Sequence, residues 1–158
     1  MSDLVLLLKL VHVLGAAVLF GTGAGIAFFM LMAHRTSDAA IIAATARMVV
    51  IADAIFTASA VVLQPVTGAA LAWNIGYPLS TPWIVASLAL YVVVGLCWLP
   101  VVWIQIRMRD LARESAGQGK PLPARYFALF RVWFWLGWPA FLGVTAIFAL
   151  MLWKPALW

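Results

Sequence analysis

LVLLLKLVHVLGAAVLFGTGAGIAFFMLMAH, residues 4–34, decides the fold. From Leu10 to Ala33 it holds no Asp, Glu, Lys or Arg. A helix rises about 1.5 Å per residue, so that uncharged run reaches about 36 Å, enough to cross a hydrocarbon core with some tilt. Lys9 and His12 stand one helical turn apart and share a face. The face continues through Gly15, Leu19, Thr22, Gly23 and Ile26, a stripe of mostly small side chains that admits a second helix or a flat ligand close to the backbone. A histidine inside a lipid-spanning segment is costly unless a partner satisfies it, which makes His12 the first functional candidate.

The remaining sequence repeats the pattern of long apolar segments. Of 158 residues, 66% are hydrophobic and 9% charged, whereas soluble domains carry about 25% charged residues. A soluble globular chain is excluded. The expected fold is all-α: one membrane domain with spans at about 4–34, 47–73, 82–106 (continuing as helix to about 113) and 129–153. Asn74 to Pro82 is a polar, proline-containing turn, and Pro82 suits the first position of a helix. Thr36, Ser37 and Asp38 offer capping chemistry to the second helix. Gly117, Gly119, Pro121 and Pro123 break the longest connection, about 107–125. The N-terminus does not read as a cleavable signal, because Asp3 stands where a basic start belongs and the apolar run is too long. The single cysteine, Cys97, excludes an intrachain disulfide and a cysteine-clustered metal site, and reads as an inert core thiol.

Basic residues set the expected orientation. Arg35 and Arg47 flank the first connection, and Arg107, Arg109, Arg113, Lys120, Arg125 and Arg131 flank the third, against Lys9 and Lys154 on the opposite side. The positive-inside rule then puts both termini outside and the basic connections in the cytoplasm. The net charge of +5 is therefore topological, facing anionic headgroups of the lipid bilayer, and does not indicate nucleic acid. Trp73, Trp83, Trp153 and Trp158 mark the outer interface.

Polar residues inside the spans carry the remaining information. Asp53, Thr57, Ala60, Gln64, Thr67 and Gly68 fall at helical spacing, and lipid satisfies neither Asp53 nor Gln64, so this face is expected to point inward. By helical rise His12 lies about 12 Å below the outer end and Gln64 about 13 Å, with Tyr91 and Thr145 at a similar level. These four form an expected polar layer. Several structural alternatives stand beside it. In one of them His12 is simply a hydrogen-bond partner of Gln64, Lys9 is placed to snorkel outward, and Asp53 is expected to pair with Arg107 or Arg131. Gly21 and Gly25 suit close helix packing within the chain or in a homodimer. Pro65 frees the carbonyl of Val61, which then needs another donor. His34 reads as a solvated residue at the helix end. His12 and His34 lie about 33 Å apart along a straight helix and share no metal. Zinc needs more ligands than the layer offers, whereas a haem needs one axial histidine and an apolar slot.

Leu8-Lys9-Leu10-Val11-His12, the glycine-bearing stretch after it and His34 resemble the first helix of the HemJ family. Trp83 and Met151-Leu152-Trp153-Lys154-Pro155 resemble later segments of the same family. Those are small bacterial membrane proteins that oxidise protoporphyrinogen and bind haem b through the histidine of a Lys-x-x-His pair. Over the full length, including His34-Arg35-Thr36 and Arg107 to Arg113, the chain more closely resembles domain-of-unknown-function family 2269, predicted bacterial integral membrane proteins. Two positions depart from the HemJ pattern. Ser87 stands where a lysine follows the third-helix tryptophan, and Trp135-Leu136-Gly137-Trp138 replaces an Asn-Glu pair ahead of Pro139. The resemblance implies haem binding through His12, and does not carry over the oxidase activity.

The sequence expectation is thus a membrane four-helix bundle that holds haem b. His12 is the metal ligand, Gln64, Tyr91, Gly15 and Lys9 are the other cofactor-side residues, and quinone or a tetrapyrrole is the reaction partner. A different class of reading is a cofactor-free subunit, assembly factor or small transporter, in which Asp53, Thr57 and Gln64 line an interface or a narrow pathway. Copper handling by Met30, Met32 and Met48 is the third.

Overall fold

The computed structural model describes residues 2–158 and contains four long helices: α1 (Asp3–Thr36), α2 (Ala39–Ile75), α3 (Pro82–Gln118) and α4 (Ala124–Trp153). Each is long and apolar enough to cross a membrane, and among the described residues there is no strand. Local chemistry explains the boundaries. Ser37 ends α1 in the left-handed region (φ 56°), and the Asp38 carboxylate accepts the N–H groups of Ala40 (2.7 Å) and Ile41 (3.2 Å), which starts α2 at once. The second helix therefore begins at Ala39, a full two turns before the expected 47. Gly76 (φ 86°) closes α2, Pro82 opens α3, and Gly119 (φ 60°) closes α3. The third helix runs past Arg113 to Gln118, and the fourth starts at Ala124, so the connection between them shrinks to residues 119–123.

Packing is uneven along the bundle axis. At the end that carries the two polar connections, called here the basic end, twelve residues from all four helices form one enclosed core. Met30, Ile42, Met108 and Tyr126 are wholly buried in it, and Phe130 and Trp133 close one side. At the opposite end, which carries both chain termini, Ala72, Trp83 and Ile84 make a small cluster with Met151 packed on it. Tyr77 lies edge-on to Trp83 at 5.5 Å, and the Lys154 ammonium sits over both rings at 5.1 and 5.6 Å. Trp83 is thereby buried under its neighbours, whereas Trp73, Trp153 and Trp158 stand exposed as expected of interface indoles.

Between these clusters lies a layer in which no apolar side chain larger than alanine is fully buried. The buried positions there are Gly15, Ala60, Thr67, Ser87 and Gly143. In it α1 packs along the outer half of α2, and α3 along α4, while the outer half of α2 keeps its backbone away from α3. Phe20 joins the two pairs by packing on Phe141 (4.9 Å) and Phe148 (5.6 Å) of α4. Gly143 brings α4 close to α3: a Cβ there would lie 2.6 Å from Val94 Cγ2. Gly21 and Gly25 have open space where a Cβ would go, so within the chain they mediate no close helix crossing.

Candidate functional site

His12 sits in that middle layer, half-buried against α2. Its Nδ1 lies 2.8 Å from Thr67 Oγ1. The Thr67 hydroxyl also lies 2.7 Å from the Leu63 carbonyl and 3.3 Å from that of Gln64. With its one hydrogen given to Leu63, Thr67 offers His12 a lone pair, and the neutral imidazole then carries its proton on Nδ1. Nε2 is left with its lone pair and has no hydrogen-bond partner among the described residues. The ring's Cε1–Nδ1 edge rests on Gly68, where a Cβ would come to 3.3 Å from Cε1. Gly68 is thus the seat of the imidazole.

Gln64 completes the contact from the other side. Its Nε2 donates to the His12 carbonyl at 2.9 Å, and it lies over Gly15, where a Cβ would approach it to 2.5 Å. The two helices interlock: the large polar group of each covers a glycine of the other. Pro65 lacks an N–H, which frees the Val61 carbonyl, and the Tyr91 hydroxyl of α3 donates to that oxygen. Tyr91 thus reaches from α3 to α2 one turn before Pro65.

Of the five cofactor-side residues expected, His12, Gln64 and Gly15 come together, and Tyr91 joins them through Val61. Lys9 lies exposed a turn nearer the terminus. Thr145 does not join the polar contacts of the layer: it is exposed and donates to its own helix at Phe141 (2.9 Å). His12 bonds Gln64 through its backbone carbonyl, and its ring bonds Thr67, a partner missed although Thr67 lies on the same polar face three residues after Gln64.

Two further expectations are corrected. Asp53 pairs with neither Arg107 nor Arg131; both are exposed, and the one ion pair among the described residues is Arg109–Asp110 at 2.8 Å. Asp53 is instead buried in a π-helical segment, Asp53–Thr57, where Trp98 Nε1 donates to it at 3.2 Å. His34 is not a solvated end residue: it lies flat on Phe130 with ring centroids 3.5 Å apart, and its Nδ1 is 3.3 Å from the Tyr126 hydroxyl. Nor do the three methionines suggested for copper converge. Met30 is wholly buried in the basic-end core while Met48 is 64% exposed, so their sulfurs line no common site.

Among the described residues no three His, Cys, Asp or Glu side chains cluster as a metal site. What the donor set fits is a metal that brings most of its own ligands. Among the described residues of that level, His12 Nε2 is the imidazole nitrogen that would be offered to a haem.

Four apolar helices with polar groups turned inward define an integral membrane protein. The family model described as "predicted integral membrane protein", domain of unknown function 2269, matches residues 6–155, nearly the whole chain, and the chain belongs to that family. No curated protein and no solved structure matches it.

Proposed function

We propose that the protein binds haem b within the membrane, with Nε2 of His12 as the single protein ligand to the iron. One observation carries the reading: His12 Nδ1 is engaged by Thr67 at 2.8 Å, which leaves Nε2 as the nitrogen without a partner among the described residues. Thr67 orients the imidazole through its contact with Nδ1. Gly68 gives the ring its seat, and Gln64 over Gly15 holds the two helices in register. Haem b, when bound, supplies a one-electron iron couple. Electron exchange with a quinone or oxidation of a tetrapyrrole is the role proposed for it, in a bacterial inner membrane with both termini periplasmic. Arg47, Arg109 and Arg113 line a groove of about 620 Å³ at the basic end, which suits anionic headgroups on the cytoplasmic side.

Protein purified in mild detergent is expected to show a Soret band that sharpens and shifts on reduction, and His12→Ala to lose it. A colourless preparation, with a His12→Ala variant of unchanged stability, overturns the proposal.

A second reading rests on the interlock itself. His12 on Gly68 and Gln64 on Gly15 satisfy polar groups across a helix pair without any ligand, as a cofactor-free subunit or transporter would require. In that case His12→Ala and Gln64→Ala lower stability by similar amounts, and no pigment copurifies.

A further inference from the structure

Asp53 lies near the middle of α2, 4% exposed, with no cation beside it. Its neighbours are neutral donors. Trp98 Nε1 reaches one carboxylate oxygen at 3.2 Å. With the Gln105 amide oriented to satisfy its surroundings, its nitrogen donates to the other oxygen at 3.2 Å while its carbonyl accepts from Trp133 Nε1 at 3.2 Å. A chain of four side chains, Trp133–Gln105–Asp53–Trp98, therefore ties α2, α3 and α4 together through one carboxyl group.

The charged and titratable groups of the packed helices stand elsewhere. Arg107 turns away over Trp103 at 5.5 Å, Arg131 is exposed, and Arg109 is engaged by Asp110. On α1, no Asp, Glu, Lys or Arg occurs between Leu10 and Ala33, and His12 is held at Thr67, fourteen residues further along α2, about 21 Å by helical rise. Tyr91 is bound to Val61, and Cys97 is a half-buried thiol with no disulfide. The Asp53 network thus has no counter-charge of its own.

An isolated buried carboxylate costs several kcal/mol, and two N–H donors to the ionised form offset part of that. One detail points to use of both the ionised and the neutral form. The Thr57 hydroxyl, on the same π-helical turn, is buried, faces the Asp53 carboxyl and has no other partner among the described residues. A hydroxyl can donate to a carboxylate or accept from a carboxylic acid, so Thr57 is a reserve partner for whichever state Trp98 and Gln105 leave unsatisfied. π-Helical turns inside α-helices recur at functional sites.

We propose that Asp53 is a proton-binding site inside the membrane, taking up one proton as carboxylate becomes carboxylic acid and releasing it again, with Thr57, Trp98 and Gln105 holding the two states. The site is distinct from the His12 layer and does not depend on haem. Its test is modification of the full-length protein in lipid vesicles by dicyclohexylcarbodiimide, which partitions into bilayers and adds to protonated carboxyls, followed by peptide mass mapping. The expected result is labelling at Asp53 that rises as pH falls and is absent in Asp53→Asn. Trp98→Phe removes a donor to the ionised form, and is expected to label about ten-fold faster at neutral pH. Labelling at no pH, labelling independent of pH, or labelling blocked by sodium ions at constant pH would each overturn the proposal; the last would assign the site to a metal cation instead.

Discussion

The basic-end half of the bundle and the middle layer are built from the same four helices, yet they solve opposite problems. The basic end fills itself: Ile26, Met30, Ile42, Val49, Ile104, Met108, Tyr126, Phe130 and Trp133 interdigitate until several have no exposure left. The middle layer buries glycine, alanine, serine and threonine, and spends its large groups on specific polar contacts: His12 to Thr67, Gln64 to the His12 carbonyl, Tyr91 to Val61. One half holds the fold together, and the other keeps polar chemistry at membrane depth.

Truncations sharpen that contrast most. Met108→Ala and Met30→Ala remove wholly buried side chains and are each expected to cost about 2–5 kcal/mol, read as a shift in detergent-denaturation midpoint. The same change at Leu19, which is only half-buried beside the middle layer, is expected to cost much less. Equal losses at the two levels would break the contrast. Gly143→Val comes next. Its Cβ would fall 2.6 Å from Val94 Cγ2, a stiff branched side chain, so α3 and α4 must separate, at about 1–3 kcal/mol by the same assay. Gly15→Ala is milder, because the atom it meets is the free end of Gln64. Gln64 swings aside and its bond to His12 is lost, about 1 kcal/mol by the same assay. Asp38→Ala loses two helix-start bonds at the exposed basic end, about 0.5–1 kcal/mol, and leaves the middle layer untouched.

Much of this architecture was legible in residue order because lipid imposes one-dimensional rules. Uncharged length gives the spans, Pro82 and Gly119 give boundaries, and a rise of about 1.5 Å per residue put His12 and Gln64 at one level. Pro65 also announced an unpaired Val61 carbonyl, which Tyr91 satisfies. Rotation about the helix axis was not legible, since 66% hydrophobic composition leaves little contrast between lipid-facing and buried sides. That is why Thr145 turned out to be exposed, and why Thr67 went unnoticed as the partner of His12. Asp53 was assigned an arginine because charge suggests counter-charge. Its actual donors, Trp98 and Gln105, lie seven residues apart on one face of α3, a spacing that could have been read as a polar rung. His34 was misjudged because its arginine neighbour looks solvated, while the aromatic shelf that buries it comes from a helix ninety residues away, at Tyr126 and Phe130.

The open Nε2 of His12 is tested most directly by titrating haem b into pigment-free protein in detergent and following the Soret band. One equivalent is expected to bind to the native chain and to Gln64→Ala, with affinity lowered about 10–100-fold in Thr67→Val and lost in His12→Ala. Identical titration curves for the native chain and His12→Ala would contradict the assignment of that nitrogen to iron.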